Sequence, residues 1–123
     1  MEPSIFLSTG AFGGMPVPEI LRVARERGFR NIELSSGAVW RDDMLPEVLE
    51  ARRDLRFLVH NYFPTPETPF VINLASDDPR TLETSRAHGR KAVDLCVKVG
   101  APFYSVHTGF CFHAAPGDLG RKQ

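Results

Sequence analysis

Apolar residues are distributed along the chain in two alternating patterns. Short continuous apolar runs are typical of parallel strands that are covered on both faces. These runs occupy residues 4–9, 30–35, 56–61 and 103–107. Between them, apolar residues recur every three or four positions, which is typical of helices with one buried face. These stretches cover residues 16–27, 42–52 and 78–99. The alternation predicts an α/β fold with a parallel sheet and right-handed crossovers.

Polar and small residues mark the ends of the predicted helices. Asp78 and Pro79 suit the cap and first position of the longest helix, and Gly100 suits its end. Asp42 and Asp43 are predicted to cap the second helix. That helix is expected to bury Leu45, Val48 and Leu49. The buried stripe of the longest helix is predicted to consist of Leu82, Gly89, Val93, Cys96 and Val97.

Two parallel architectures suit this alternation, a doubly wound sheet and a TIM-type (β/α) barrel. The glycines after the first run, Gly10, Gly13 and Gly14, do not match the G-x-G-x-x-G spacing of dinucleotide-binding folds, and no Walker motif is present. The barrel is therefore preferred, although a closed barrel needs about 250 residues. Residues 1–123 are predicted to be the truncated N-terminal part of one such domain, with the first four strands and about three helices. Unpaired sheet edges in this half-barrel would favour self-association.

The composition narrows the classes of partner and compartment. Fifteen basic and fifteen acidic residues cancel, which gives no electrostatic case for binding nucleic acid or a membrane surface. No signal peptide is visible, and no apolar stretch approaches the roughly 18 residues of a membrane span. Cys96 and Cys111 form no C-x-x-C pair and are expected to be free buried thiols. Such thiols predict a reducing, cytoplasmic compartment.

Two histidines stand at the ends of neighbouring predicted strands. His60 ends the third apolar run and His107 ends the fourth. Because active sites of parallel α/β folds lie at the carboxyl ends of the strands, the two imidazoles are expected to face one site. Imidazole is a good ligand for Zn²⁺, Mn²⁺ and Fe²⁺. The alternative is that each histidine is simply hydrogen-bonded at a strand end, and a catalytic zinc site usually needs three protein ligands.

The residues around these histidines resemble the xylose isomerase-like TIM-barrel superfamily. The similar segments are His-Asn-Tyr-Phe-Pro at residues 60–64, Asn-Leu-Ala-Ser at 73–76, His-Thr-Gly at 107–109 and Ile-Glu-Leu at 32–34. The superfamily includes sugar-phosphate isomerases and epimerases and the endonuclease IV class of apurinic-site nucleases. The resemblance extends from residue 5 to about residue 122.

The resemblance implies that His60 and His107 are metal ligands. It also implies that the other ligands and the catalytic carboxylates come from strands five to eight, beyond Gln123. Glu33 is a candidate to orient a ligand or to bind a substrate hydroxyl, with pairing to a nearby arginine as the alternative. Asn61 and Tyr62 are candidates to face the substrate, and a turn role for Asn61 is an equal alternative.

Two further histidines and two loop residues complete the set of candidates. His88 is predicted to be a surface or packing residue of the longest helix. His113 lies near the fourth strand and is a weaker ligand candidate than the first two histidines. Asn73 and Ser76 are expected to shape the loop before the longest helix.

The leading functional hypothesis is a divalent-metal-dependent isomerase or epimerase of a small sugar or sugar phosphate. Such an enzyme would abstract a proton beside a carbonyl, or shift a hydride, while zinc, manganese or another transition metal holds vicinal oxygens. Phosphodiester cleavage at abasic DNA is an alternative, against which the neutral charge argues. A non-catalytic half-barrel that serves as an assembly module is the third hypothesis.

Overall fold

The computed structural model describes residues 4–111 and 115–118, in which strands and helices alternate as predicted. The strands are β1 (Leu7–Ser8), β2 (Asn31–Leu34), β3 (Arg56–His60) and β4 (Tyr104–Ser105). The helices are α1 (Val17–Glu26), α2 (Leu45–Ala51) and α3 (Pro79–Val99). Short 3-10 turns cover Thr9–Ala11, Asp42–Met44 and Pro116–Asp118.

The four strands form one parallel sheet in the order in which they follow one another along the chain. Leu7 of β1 is aligned with Ile32 of β2, and Ile32 is aligned with Phe57 of β3. Each helix therefore connects two strands that are direct neighbours in the sheet. The predicted parallel α/β fold is confirmed for the described residues, while closure into a TIM-type barrel stays a prediction.

The hydrophobic core lies between the three helices and one face of the sheet. The strand residues that point to this face include Ile32, Leu34, Phe57 and Val59, which are almost completely buried. The helical residues in the same cluster are Val17, Ile20, Leu21, Ala24, Val48, Ala51, Ala92, Leu95, Cys96 and Val99. Because all three helices contribute to one cluster with these strand residues, they cover the same face of the sheet.

The opposite face of the sheet is not covered by the helices. Successive residues of a strand point to opposite faces, so Glu33 of β2 and Leu58 and His60 of β3 lie on this open face. Ser8 of β1 and Ser105 of β4 are aligned with Glu33 and His60, respectively, and therefore share it. All five residues are half-buried. The open face thus holds two of the candidate residues, Glu33 and His60.

The two edge strands are shorter than predicted. The run at residues 4–9 was expected to be a strand, but β1 contains only Leu7–Ser8, and the run at 103–107 contributes only Tyr104–Ser105 to β4. Beyond the end of β1, the Thr9 side chain forms the hydrogen bonds to the neighbouring strand segment that a backbone would otherwise form. The Thr9 hydroxyl donates to the Ser35 carbonyl oxygen at 2.9 Å and accepts from the Ser35 amide at 2.8 Å.

The buried face of α3 differs from the predicted stripe. Its buried residues are Ser85, His88, Ala92, Leu95, Cys96 and Val99. Cys96 was predicted correctly, but Val93 is 51% exposed and Val97 is 77% exposed. The Cys96 thiol lies 3.6 Å from the carbonyl oxygen of Phe103, just before the edge strand β4. Val93 and Val97 thus lie on a side of α3 that is largely exposed within the described part of the chain.

The predicted ends of α3 are confirmed, whereas the predicted start of α2 is wrong. The Asp78 carboxylate accepts from the Thr81 amide at 2.7 Å, and Gly100 ends the helix with φ 71°. Asp42 and Asp43 lie in a 3-10 turn before α2, which begins without a side-chain cap. Leu49 is 37% exposed rather than buried, because the short helix turns only one narrow face to the core. Within the described part of the chain, no helix is both long and apolar enough to cross a membrane.

Candidate functional site

The structure brings His60 and His107 together at the carboxyl end of the sheet. Their ring centroids are 5.7 Å apart and the ring planes are inclined by 76°. His60 is the last residue of β3 and is half-buried, whereas His107 is exposed. His107 stands two residues beyond the end of β4, so the prediction that it ends a strand is wrong by that margin. The predicted proximity of the two imidazoles is present.

Ser105 holds the His60 ring in place. The Nδ1 atom of His60 and the Ser105 hydroxyl oxygen are 2.9 Å apart, and the two residues are aligned partners in β3 and β4. The bond leaves Nε2 of His60 as the nitrogen that is available to a ligand. Histidines that bind metals usually donate the other ring N–H to an oxygen acceptor, which is the arrangement that Ser105 offers. No local pattern in the sequence indicates this role, because it depends on the register between two strands.

Asn61, which follows His60 in the chain, forms hydrogen bonds to the backbone of the segment that carries His107. Its amide donates to the Ser105 carbonyl oxygen at 2.7 Å, and its side-chain oxygen accepts a longer bond of 3.4 Å from the His107 amide. Its φ of 48° lies in the left-handed region, which asparagine tolerates better than most residues. The structure therefore places Asn61 in a turn, as one of the two alternatives predicted. Its contact with a substrate stays a prediction.

The carbonyl oxygen of Asn61 is a shared acceptor. It accepts a hydrogen bond of 2.6 Å from the Tyr104 hydroxyl and one of 3.1 Å from Nε2 of His88. Burial lowers the pKa of His88, which favours the neutral ring, with Lys91 contributing in the same direction. Burial also raises the pKa of Tyr104 to about 12, so its hydroxyl stays protonated at neutral pH. His88 is thus a buried packing residue, which is one of the two roles predicted for it.

Tyr62 is engaged in the loop that follows β3. Its hydroxyl oxygen accepts from the Ile72 amide at 2.9 Å. Its ring lies 5.9 Å from Phe70 and 6.1 Å from His88, centroid to centroid. These contacts fix the loop against α3. Contact of Tyr62 with a substrate stays a prediction.

Glu33 lies on the open face of β2, beside Leu58 of β3. His60 follows Leu58 by two residues on the same face, which corresponds to one repeat of the pleat. Within residues 4–111 and 115–118, Glu33 forms no ion pair with an arginine. The predicted alternative of an arginine-paired carboxylate is therefore not seen there, and the carboxylate faces the same side as His60.

Asn73 joins the loops that follow β3 and β4. It is 4% exposed, its side-chain nitrogen Nδ2 donates to the Phe110 carbonyl oxygen at 3.2 Å, and its side-chain oxygen Oδ1 accepts from the Phe110 backbone amide at 3.2 Å. A Cβ atom at Gly109 would collide with that side-chain oxygen. The glycine two residues after His107 thus permits this close approach. The predicted loop-shaping role of Asn73 is present, and the Ser76 hydroxyl similarly accepts from the Asp78 amide at 3.2 Å.

An open cleft of about 610 Å³ lies next to these joined loops. It is lined by Asn73, Ala75, Ser76, Asp77, Thr108, Gly109, Phe110 and Cys111. The prediction that both cysteines are buried is wrong for Cys111, which is exposed because its loop lies outside the core. The cleft extends the carboxyl end of the sheet beyond His107.

The described residues supply two imidazoles but not a complete metal site. Among residues 4–111 and 115–118, no group of three or more histidine, cysteine, aspartate or glutamate side chains is arranged to hold an ion. The candidate His113 lies outside the described residues. Comparison of the chain with protein-family models, with curated proteins and with solved structures finds no match.

Proposed function

We propose that this chain is the metal-binding half of a TIM-type (β/α) barrel, and that the complete barrel is a divalent-metal-dependent isomerase or epimerase of a small sugar or sugar phosphate. The observation on which the proposal depends is the pair of imidazoles, His60 and His107, with ring centroids 5.7 Å apart. They stand at the carboxyl end of adjacent parallel strands, which is the usual position of active sites in parallel α/β folds.

The residues fit two positions of a metal site. With metal–nitrogen distances of about 2.0–2.1 Å and tetrahedral angles, two rings bound to one ion have centroids about 5 Å apart. The separation of 5.7 Å is close to that value and slightly longer. His60 also has a hydroxyl partner for its other nitrogen, 2.9 Å away on Ser105. Imidazole ligands favour zinc, manganese and other transition metals over magnesium. The remaining ligands of such a site would come from outside the described residues.

The chemistry of the open face favours a small polar substrate. His60 and His107 would hold the ion, which when bound polarises a carbonyl or hydroxyl oxygen of the substrate. Glu33 lies on the same face as His60, and its carboxylate is an acceptor for a substrate hydroxyl. The equal numbers of basic and acidic residues, fifteen of each, are better suited to such a substrate than to a polyanion.

Metal binding by the purified chain tests the first part of this proposal. The chain is stripped with chelator, reloaded separately with Zn²⁺ and Mn²⁺, and its metal content is measured by elemental analysis. We expect His60→Ala and His107→Ala to abolish binding, and His88→Gln, which alters a histidine outside the pair, to retain it. Undiminished metal content in the double variant H60A/H107A would show that the ligands lie elsewhere.

Substrate class is tested on the metal-loaded chain. A linear pentitol and a pentose phosphate are titrated into isotope-labelled protein while the amide resonances are followed. We expect shifts at Glu33 and His60 and weaker shifts in Glu33→Gln, which loses the charged acceptor. Shifts that are unchanged in E33Q, or that avoid the open face altogether, would contradict the proposed substrate site without affecting the metal result.

A non-catalytic half-barrel that associates with a second copy is the second candidate. Ile5, which precedes β1, is 87% exposed, and Phe103, which precedes β4, is 49% exposed. Both open edges of the sheet thus present apolar side chains, and such edges favour pairing with another strand. Light scattering after gel filtration should then detect a dimer that Phe103→Glu and Ile5→Glu dissociate. A monomer at every concentration would contradict this candidate.

A further inference from the structure

The carbonyl oxygen of Asn61 receives two side-chain donors from different elements of the fold. The Tyr104 hydroxyl in β4 donates at 2.6 Å, and Nε2 of His88 in α3 donates at 3.1 Å. A carbonyl oxygen has two lone pairs, so these donors use its full capacity. His88 is 6% exposed and Tyr104 is half-buried. Both bonds are therefore largely shielded from water. In such a buried position, a donor or acceptor without a hydrogen-bond partner is costly.

The two donors hold the backbone of Asn61, and the position of this residue determines the positions of both imidazoles. Asn61 follows His60 directly and has a φ of 48°. Its amide bonds to the Ser105 carbonyl oxygen at 2.7 Å, and its side-chain oxygen accepts from the His107 amide at 3.4 Å. Asparagine tolerates this left-handed conformation, and the hydrogen bonds to its carbonyl oxygen hold it there. Movement of the Asn61 peptide would therefore change the separation of the two rings.

We propose that His88 and Tyr104 are positioning residues for the His60–His107 pair, acting through the carbonyl oxygen of Asn61. The role of the pair as metal ligands rests on the proposed function, but the effect of the two donors on ring position does not. Neither donor is expected to touch the metal or the substrate.

The surroundings of His88 argue for a directed polar role. Its ring packs 5.6 Å from Phe70 and 6.1 Å from Tyr62, an aromatic setting that a phenylalanine would also fill. A buried histidine in such a setting is costly unless its polar atoms are bonded. Burial lowers the pKa of His88, and burial raises that of Tyr104 to about 12. Both groups therefore stay uncharged donors to Asn61 at neutral pH.

The test compares donors with non-donors of similar shape in the full chain. Co²⁺ affinity and the Co²⁺ absorption spectrum are measured for Tyr104→Phe, His88→Phe, the double variant, and His88→Gln, whose amide can still donate. Ser85→Ala is the control, because Ser85 is a buried α3 residue that bonds to Asn73 and Thr81 instead of Asn61. Amide and imidazole resonances of His60, Asn61 and His107 are recorded for every variant without metal.

We expect the double variant to bind Co²⁺ about 10-fold more weakly, as is usual for residues that orient metal ligands. His88→Gln and Ser85→Ala should keep the affinity and spectrum of the parent chain. Metal binding that is unchanged in the double variant, or weakened equally in Ser85→Ala, would overturn the positioning role alone. If the parent chain binds no metal, the proposed function fails. The positioning role then stands if the metal-free resonances of His60 and His107 move only in the donor-less variants, and falls if they do not.

Discussion

The ring of His60 and the hydroxyl of Ser105 face each other across β3 and β4, with Nδ1 and Oγ 2.9 Å apart. Because this bond orients the ring, we expect Ser105→Ala to weaken Zn²⁺ binding by about 10-fold while the fold is retained. Isothermal titration calorimetry measures the affinity. Ser8→Ala is the control, since Ser8 is a half-buried serine on the same face of the sheet, in β1. Equal affinities of the two variants would show that Ser105 does not support the metal site.

Gly109 allows the loop after β4 to contact Asn73. A Cβ atom there would collide with the Asn73 side-chain oxygen and would lie 3.3 Å from the Ala75 side chain. We expect Gly109→Ala to lower the free energy of unfolding by about 2 kcal/mol, measured by urea denaturation. Gly89→Ala is the control, because a Cβ at that position in α3 meets nothing within 4 Å. This control should raise the stability by about 0.5–1 kcal/mol, as alanine is the better helix former.

Burial lowers the pKa of His88 below its usual value of 6.5, so protonation of this ring opposes folding. Above pH 6.5 the ring is neutral in both the folded and the unfolded chain, and its contribution does not vary. As the pH falls below 6.5, the unfolded chain takes up the proton first, and the free energy of unfolding decreases.

We therefore expect urea denaturation of the parent chain to show a loss of stability between neutral and mildly acidic pH that is smaller in His88→Gln. Ser85→Ala, which changes another buried residue of α3 and removes no titratable group, should retain the dependence of the parent chain. Identical pH profiles for the parent chain and His88→Gln would show that His88 does not cause this loss of stability.

The two flanks of α3 should differ sharply in their sensitivity to substitution. Leu95 is 6% exposed and belongs to the core, so we expect Leu95→Ala to lower the free energy of unfolding by about 2–5 kcal/mol. Val97 is 77% exposed, and Val97→Ala should change stability by no more than about 0.5 kcal/mol. A large loss in Val97→Ala would mean that another molecule or segment covers this flank in solution.

The elements of this fold could be predicted from the sequence because their signals are local. Asp78, Pro79 and Gly100 lie at the ends of the helix that they delimit, and cap geometry depends on a few consecutive residues. The buried side of the same helix could not be predicted, because α3 has two adjacent apolar flanks. Leu95 faces the core, whereas Val97 is 77% exposed. Which of the two flanks of α3 is buried depends on the elements that pack against the helix.

The candidate site likewise contains residues that local patterns indicate and residues whose role depends on distant parts of the chain. His60 and His107 could be found because each follows an apolar run, and the ends of adjacent parallel strands meet. Ser105 and His88 could not be assigned their partners from the sequence. The bond between Ser105 and His60 joins residues 45 positions apart, and the bond between His88 and Asn61 joins residues 27 positions apart. Such contacts follow from sheet register and helix rotation, which local patterns do not encode.

The order of the sheet also bears on how the chain folds during synthesis. Aligned residues are separated by 25 positions between β1 and β2 (Leu7 and Ile32) and again between β2 and β3 (Ile32 and Phe57). The separation is 45 positions between β3 and β4 (Val59 and Tyr104). Within residues 4–111, β2, β3 and β4 each therefore pair with a strand that precedes them in the chain and has already left the ribosome. The sheet can grow by successive addition at a single edge as translation proceeds.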